Sequence, residues 1–177
     1  ADASDDGRFH CGAEEATLNL DCPNCWRLEP LMIKHKQLFR HRPEEGQIGD
    51  CARTTLACLL DLKPEEVPHF VKDAIERGNE FEALADMEAW LQLRGQSLIE
   101  FPISAESPGE AFKWASCYLR NTYYLLAGTS SNDVTHVVIG FKDKLFWDTS
   151  IDDSGIIGPV SDGYYWIGML ITGFQGE

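Results

Sequence analysis

The sequence from residue 47 to residue 62 reads QIGDCARTTLACLLDL. Gly46 and Gly49 indicate a turn before the first apolar residues of a helix. Asp50 belongs to the residue types that favour the N-terminal cap of a helix. Apolar residues then recur at helical spacing, which predicts a buried helix over Cys51–Leu62. The predicted core face of this helix consists of Ala52, Leu56, Leu59 and Leu60. A cysteine therefore stands at the first turn of a buried helix.

Helical patterns dominate the first part of the chain and strand patterns the last part. Pro64 suits the start of a second helical segment. A third pattern repeats Leu84, Met87, Trp90 and Leu91 at helical spacing, and residues 109–120 form a fourth with Phe112, Ala115 and Leu119 as its core face. Short runs rich in β-branched and aromatic residues follow and predict strands. These are Tyr123–Ala127, His136–Phe141, Lys144–Asp148 and Tyr164–Ile171. Helices followed by antiparallel strands indicate an α+β fold.

Composition narrows the classes of protein and partner. The 177 residues include 44% hydrophobic residues, enough to bury a core. The formal net charge of −14 argues against binding to nucleic acid, which depends on cationic side chains. No apolar run approaches the ~20 residues that cross a bilayer, and the N-terminus lacks the pattern of a signal peptide. We expect a protein of the cytoplasm with reduced thiols and no membrane partner, and the sequence leaves its oligomeric state open.

Cys51 has the surroundings that acyl-transfer chemistry requires. The free N–H groups and dipole of a helix N-terminus favour the thiolate form of cysteine. Gln47, four residues earlier, could turn its amide toward an anionic tetrahedral intermediate, with the Cys51 N–H as the second donor. Cys51 is thus the candidate nucleophile and Gln47 the candidate oxyanion donor.

A thiolate nucleophile also needs a base, and His136 is the candidate among the five histidines because it opens a predicted strand after a polar loop. Asp148 ends the next predicted strand. If the two strands form a hairpin about Lys142-Asp143, His136 and Asp148 lie nearly opposite, and the carboxylate can orient the imidazole. Asp133 or Asn132 could orient His136 instead.

These residues resemble the motifs of the papain-like cysteine peptidases. The similarity rests on Gly49-Asp50-Cys51 opening a helix, Gln47 ahead of it, and a His-Val-Val-Ile strand followed by Asp148. It is strongest with the branch that processes double-glycine leader peptides and with similar uncharacterised phage and bacterial proteins, and it covers about residues 36–172. The resemblance implies a papain-like fold with Cys51 as nucleophile, His136 as base, Asp148 as orienting residue and Gln47 as oxyanion donor. Ala52 and Thr149 depart from the Gly and Pro that are frequent at these positions, which leaves the substrate class open.

Residues 1–31 differ from the rest and are interpreted as a cysteine-containing arm ahead of a hydrolase domain at 32–177. Cys22 and Cys25 form a C-x-x-C pair with Cys11 and His10 upstream. Together these four residues, or the three cysteines with a later His35, could bind structural zinc as a small knuckle. The alternative is an arm whose thiols have no shared role.

The sequence therefore predicts a thiol-dependent hydrolase, a peptidase or amidase, acting on a peptide or protein substrate. Catalysis of this kind requires no cofactor. The alternative is a catalytically inactive papain-like phage protein that binds or modulates a component of the host. Both remain open because fold does not settle function.

Overall fold

The computed structural model describes residues 32–173, in which four α-helices accompany a five-stranded antiparallel sheet. The helices are α1 (Cys51–Leu59), α2 (Phe70–Glu76), α3 (Ala83–Gln92) and α4 (Pro108–Tyr118). The strands are β1 (Gln96–Ile103), β2 (Tyr123–Thr129), β3 (Thr135–Phe141), β4 (Lys144–Asp148) and β5 (Tyr165–Thr172). Their spatial order is β1-β5-β2-β3-β4. Short 3-10 helices lie at Pro43–Glu45, Pro64–Glu66 and Glu80–Glu82. The predicted α+β class is confirmed.

The helix at Cys51 is shorter than the sequence predicts and buries a different set of residues. It ends at Leu59, and Asp61 then adopts a left-handed backbone with φ of 53°. Its buried residues are Thr54, Thr55, Leu56, Ala57 and Cys58. The predicted face was therefore only partly right: Leu56 is buried and Leu60 packs against the same cluster, but the middle of α1 is enclosed on several sides. In α3, Met87 and Leu91 of the predicted helical repeat are buried, whereas Leu84 is 60% exposed.

The sheet separates two hydrophobic clusters. Tyr165, Ile167 and Met169 of β5 pack with α4, where Phe112, Ala115 and the C-cap residue Leu119 are buried as predicted. Leu170 packs instead with a cluster formed by α1, α2 and α3. Because adjacent strand residues point to opposite faces, β5 contributes to both clusters.

Strand β1 was not predicted from the sequence. It pairs only with β5 among the described strands and is an edge strand. It begins directly after Gly95 and contains Pro102, and both residue types weaken a strand pattern. Pro102 is tolerated in β1 because an edge strand can include a residue without a backbone N–H group.

Within residues 32–173, no helix combines the length and apolar character needed to span a bilayer. The proposed arm at residues 1–31 lies outside the described residues.

Candidate active site

Cys51 is the first residue of α1 and lies in a cleft of about 660 Å³ that His136 also lines. Cys51 is partly exposed where it lines this cleft. One turn further along α1, the Thr55 hydroxyl donates to the Cys51 carbonyl at 2.6 Å and lies 3.4 Å from the carbonyl oxygen of Val137 in β3. The Thr55 side chain therefore ties the helix that carries Cys51 to the strand that carries His136.

His136 lies on β3 and contacts both Cys51 and Asp148. Its Nε2 is 2.7 Å from Oδ1 of Asp148, at the end of β4. The Cys51 side chain lies close enough to the His136 ring to contribute to the raised pKa of the imidazole. Because Nε2 faces Asp148, Nδ1 is the nitrogen left for the sulfur. The structure thus brings Cys51, His136 and Asp148 together in that order.

The loop after β4 surrounds the Asp148 carboxylate with donors. Ser150 donates from its backbone N–H at 2.8 Å and from its hydroxyl at 2.7 Å. Gly155 donates its N–H at 2.9 Å. With His136, the carboxylate accepts four hydrogen bonds while only 7% of the residue is exposed. These contacts fix the orientation of the oxygen that faces His136.

The electrostatics of the pair favour a protonated histidine. Burial lowers the pKa of His136, but hydrogen bonds to Asp148 and Cys51 and the negative charges of both outweigh it and raise the pKa to about 9. Burial raises the pKa of Asp148, but hydrogen bonds from His136, Ser150 and Gly155 hold the pKa well below its usual value. At neutral pH the site therefore holds an imidazolium between a carboxylate and the cysteine sulfur.

The structure places Gln37, not Gln47, beside the Cys51 backbone. The Gln37 side-chain amide lies 3.0 Å from Cys51 N and 3.3 Å from Asp50 N, and with its oxygen toward them it accepts from both N–H groups. Gln37 also lines the cleft. Gln47 does not line that cleft, and its backbone pairs with Arg42 instead.

A turn in the chain explains how Gln37 reaches Cys51. Arg42 and Gln47 form an antiparallel bridge around the 3-10 helix Pro43–Glu45. Gln37 lies five residues before Arg42, and Ala52 lies five residues after Gln47. The two chain segments that leave the bridge therefore run alongside each other, which brings Gln37 to the start of α1. The sequence signal for this turn is Pro-Glu-Glu-Gly at residues 43–46. Residues at equal distances before and after such a turn lie near each other, and this relation pairs Gln37 with the start of α1.

Asn132 and Asp133 were the alternative residues predicted to orient His136. Asn132 lines the cleft, whereas Asp133 has a left-handed φ of 57° in the turn between β2 and β3. His69 caps α2 by accepting from the Lys72 N–H, and its other ring nitrogen lies 3.2 Å from the Ile48 carbonyl.

The candidate zinc ligands His10, Cys11, Cys22 and Cys25 lie outside the described residues. The alternative ligand His35 is described, and its Nε2 is buried without a hydrogen-bond partner. Among residues 32–173, no group of three or more His, Cys, Asp or Glu side chains is arranged to hold a metal ion.

Comparison with family models, with curated proteins and with solved structures gave no match. The functional argument therefore rests on the residues of the cleft.

Proposed function

We propose that this protein is a papain-like thiol hydrolase, a peptidase or amidase, that forms an acyl-enzyme on Cys51. The observation that carries the proposal is the arrangement of three side chains. A cysteine at a helix N-terminus adjoins a buried histidine, and that histidine is 2.7 Å from a buried aspartate. A nucleophile, a base and a group that orients the base are the parts that covalent catalysis by cysteine requires.

In the first half-reaction, the Cys51 thiolate attacks the carbonyl carbon of a peptide or amide. The developing oxyanion accepts from the Cys51 N–H and displaces the Gln37 oxygen from it. A half-turn of the Gln37 amide then presents its NH2 group to the same oxyanion. His136 donates its proton to the leaving nitrogen, the carbon–nitrogen bond breaks, and the acyl group stays on sulfur as a thioester.

In the second half-reaction, the now neutral His136 accepts a proton from water. The hydroxide so formed attacks the thioester carbonyl, the carbon–sulfur bond breaks, and the carboxylic acid leaves. Cys51 returns to thiolate and His136 to imidazolium. Asp148 keeps its negative charge throughout and stabilises the protonated histidine.

Selective alkylation tests the nucleophile. With limiting iodoacetamide at neutral pH, we expect peptide mapping by mass spectrometry to find label on Cys51 at least ~10 times faster than on the exposed Cys117. The substitution His136→Ala removes the cation that stabilises the thiolate, so the preference for Cys51 should disappear.

The substitution Cys117→Ser is the matched control and should leave labelling of Cys51 unchanged. Hydrolysis is tested separately with p-nitrophenyl acetate, whose attack by Cys51 releases coloured p-nitrophenolate and leaves an acetyl thioester. Equal labelling of Cys51 and Cys117, or p-nitrophenolate release that is unchanged in Cys51→Ala, would contradict the proposal and favour the inactive binding protein.

A further inference from the structure

The Asp50 carboxylate lies beside the proposed nucleophile, and the mechanism above does not use it. The residue is 1% exposed. It occupies the N-cap position of α1 as predicted, but its side chain makes no capping hydrogen bond to the helix. Instead, the carboxylate accepts from the backbone N–H groups of Leu38 at 3.3 Å and Phe39 at 3.0 Å. Burying a carboxylate is unfavourable unless it has hydrogen-bond or ionic partners. The partners of Asp50 lie on one neighbouring segment and on Arg53.

That segment, residues 36–41, is called the strap below. On its N-terminal side, the Gln37 N–H donates at 2.8 Å to the carbonyl of Thr149, the residue that follows Asp148. On its C-terminal side, the two peptide groups that follow Gln37 donate to Asp50. Gln37 is therefore held from the histidine side of the cleft and from the cysteine side.

The charge of Asp50 has a cationic partner on the same helix. Its Oδ2 lies 3.9 Å from the Arg53 guanidinium, whose side chain is 12% exposed. Arg53 in turn donates to the carbonyls of Pro64 and Val67. This partner reduces the repulsion that a carboxylate next to Cys51 would exert on a developing oxyanion.

We propose that Asp50 is a positioning residue that fixes the strap so that the Gln37 amide faces the Cys51 N–H. This inference rests on the proposed function of Cys51. In residues 32–173 the buried carboxylates are Asp50 and Asp148. Asp148 orients the base, and Asp50 orients the second oxyanion donor through the backbone of Leu38 and Phe39.

The substitution Asp50→Asn tests this inference because it keeps the size of the side chain but turns an NH2 group toward one of the two N–H donors. Acylation of Cys51 by p-nitrophenyl acetate passes through an oxyanion, whereas alkylation by iodoacetamide does not. We expect acylation to fall ~10-fold and alkylation of Cys51 to change less than twofold. Hydrogen exchange of the Leu38 and Phe39 amides should accelerate in the variant.

The double variant Gln37→Ala/Asp50→Asn separates positioning from general structural damage. If Asp50 acts through Gln37, the double variant should acylate no more slowly than Gln37→Ala alone. Losses that multiply, or an alkylation rate that falls in parallel with acylation, would overturn the inference. Should Asp50→Asn fail to fold, Phe39→Pro removes one of the accepted N–H groups from the strap side, and unchanged acylation in that variant would also overturn it.

A control variant is available outside the strap. Asp61 is exposed, and its carboxylate accepts from the Ile33 N–H at 3.2 Å, upstream of the strap. The substitution Asp61→Asn removes a carboxylate charge that accepts from nearby backbone without touching Gln37, so both rates should stay unchanged. If wild-type protein shows neither selective alkylation nor acylation of Cys51, the proposed function itself fails, which is a different result from a selective loss in Asp50→Asn.

Discussion

The side chains of His136 and Gln37 each meet a partner from another segment of the chain. His136 depends on Asp148 from the neighbouring strand, and Asp148 depends on donors from the loop that follows it. Gln37 meets the backbone of Cys51 from a strap that lies ahead of α1. Preorganised groups such as the Asp148 carboxylate and the Cys51 N–H contribute most in a site sheltered from water, because they need not reorganise during the reaction. The strap holds the Gln37 amide within reach, and only its end turns in the proposed mechanism.

The role of Gln37 can be distinguished from that of Gln47 by paired substitutions. Gln37→Ala removes an amide 3.0 Å from Cys51 N, and we expect acylation by p-nitrophenyl acetate to fall by ~100-fold, as the loss of one oxyanion donor does elsewhere. Alkylation by iodoacetamide should be unaffected, since it develops no oxyanion. Stopped-flow measurement of p-nitrophenolate release provides both the rate and the stoichiometry.

Gln47→Ala serves as the comparison, because this side chain does not line the cleft. Its acylation rate should remain within about twofold of the unsubstituted protein. A large loss in Gln47→Ala with none in Gln37→Ala would restore the assignment that the local sequence suggested.

At the scale of elements, the β3–β4 hairpin decides where His136 and Asp148 meet. The sequence predicted that these two residues lie nearly opposite, but the register pairs Asp148 with Val138 and shifts between Ile139 and Gly140. The irregularity is a β-bulge, which changes the local twist and re-aims side chains. The two side chains still meet at 2.7 Å, so the bulge and the reach of the histidine compensate for the offset.

Gly140 stands at this bulge because no larger side chain fits. A Cβ atom at this position would lie 2.3 Å from the ring of Tyr124, a fully buried residue whose hydroxyl donates to the Lys142 carbonyl. We expect Gly140→Ala to lower the free energy of unfolding by about 2 kcal/mol, because overpacking forces the ring or the strand to move. Urea unfolding measured by fluorescence gives this value. Gly109→Ala in the first turn of α4 is the control: the nearest atom to the added Cβ would be 3.9 Å away, and stability should stay level or rise. A Gly140→Ala protein as stable as the control would contradict the packing argument.

The sequence predicted those elements whose signals are local. Periodicity located α4 and its core residues, and β-branched and aromatic runs located β2 to β5. The edge strand β1 was missed because Gly95 and Pro102 obscure its pattern, and the face of α1 was only partly right because burial there depends on what surrounds the helix. At the site, Cys51, His136 and Asp148 stand on regular elements and could be proposed from spacing. Gln37 could not be proposed from proximity in sequence, because a turn of the chain brings it to Cys51.

At the scale of the whole molecule, a formal net charge of −14 makes the buried carboxylates an electrostatic burden. Self-repulsion of this size destabilises a compact state, and it weakens as the pH falls toward the range where carboxylates protonate. Asp148 has the opposite dependence. Its hydrogen bonds stabilise the charged form, and the stability they provide is lost on protonation.

The difference between wild type and Asp148→Asn isolates this effect. The pKa of Asp148 is lower in the folded protein than in the unfolded chain, where it is about 3.9, so below that pH the unfolded chain binds a proton that the folded protein does not. Stability from Asp148 is therefore complete above about pH 5 and declines as the pH falls. Between pH 5 and pH 3, we expect the free energy of unfolding of the wild type to fall by about 1 kcal/mol more than that of Asp148→Asn, as measured by urea titration at each pH.

The changing net charge affects both proteins nearly equally, and the exposed Asp61→Asn protein should follow the wild-type curve. Parallel curves for wild type and Asp148→Asn would mean that the carboxylate is not held as a charged partner of His136, and the proposed catalytic arrangement would lose its orienting group.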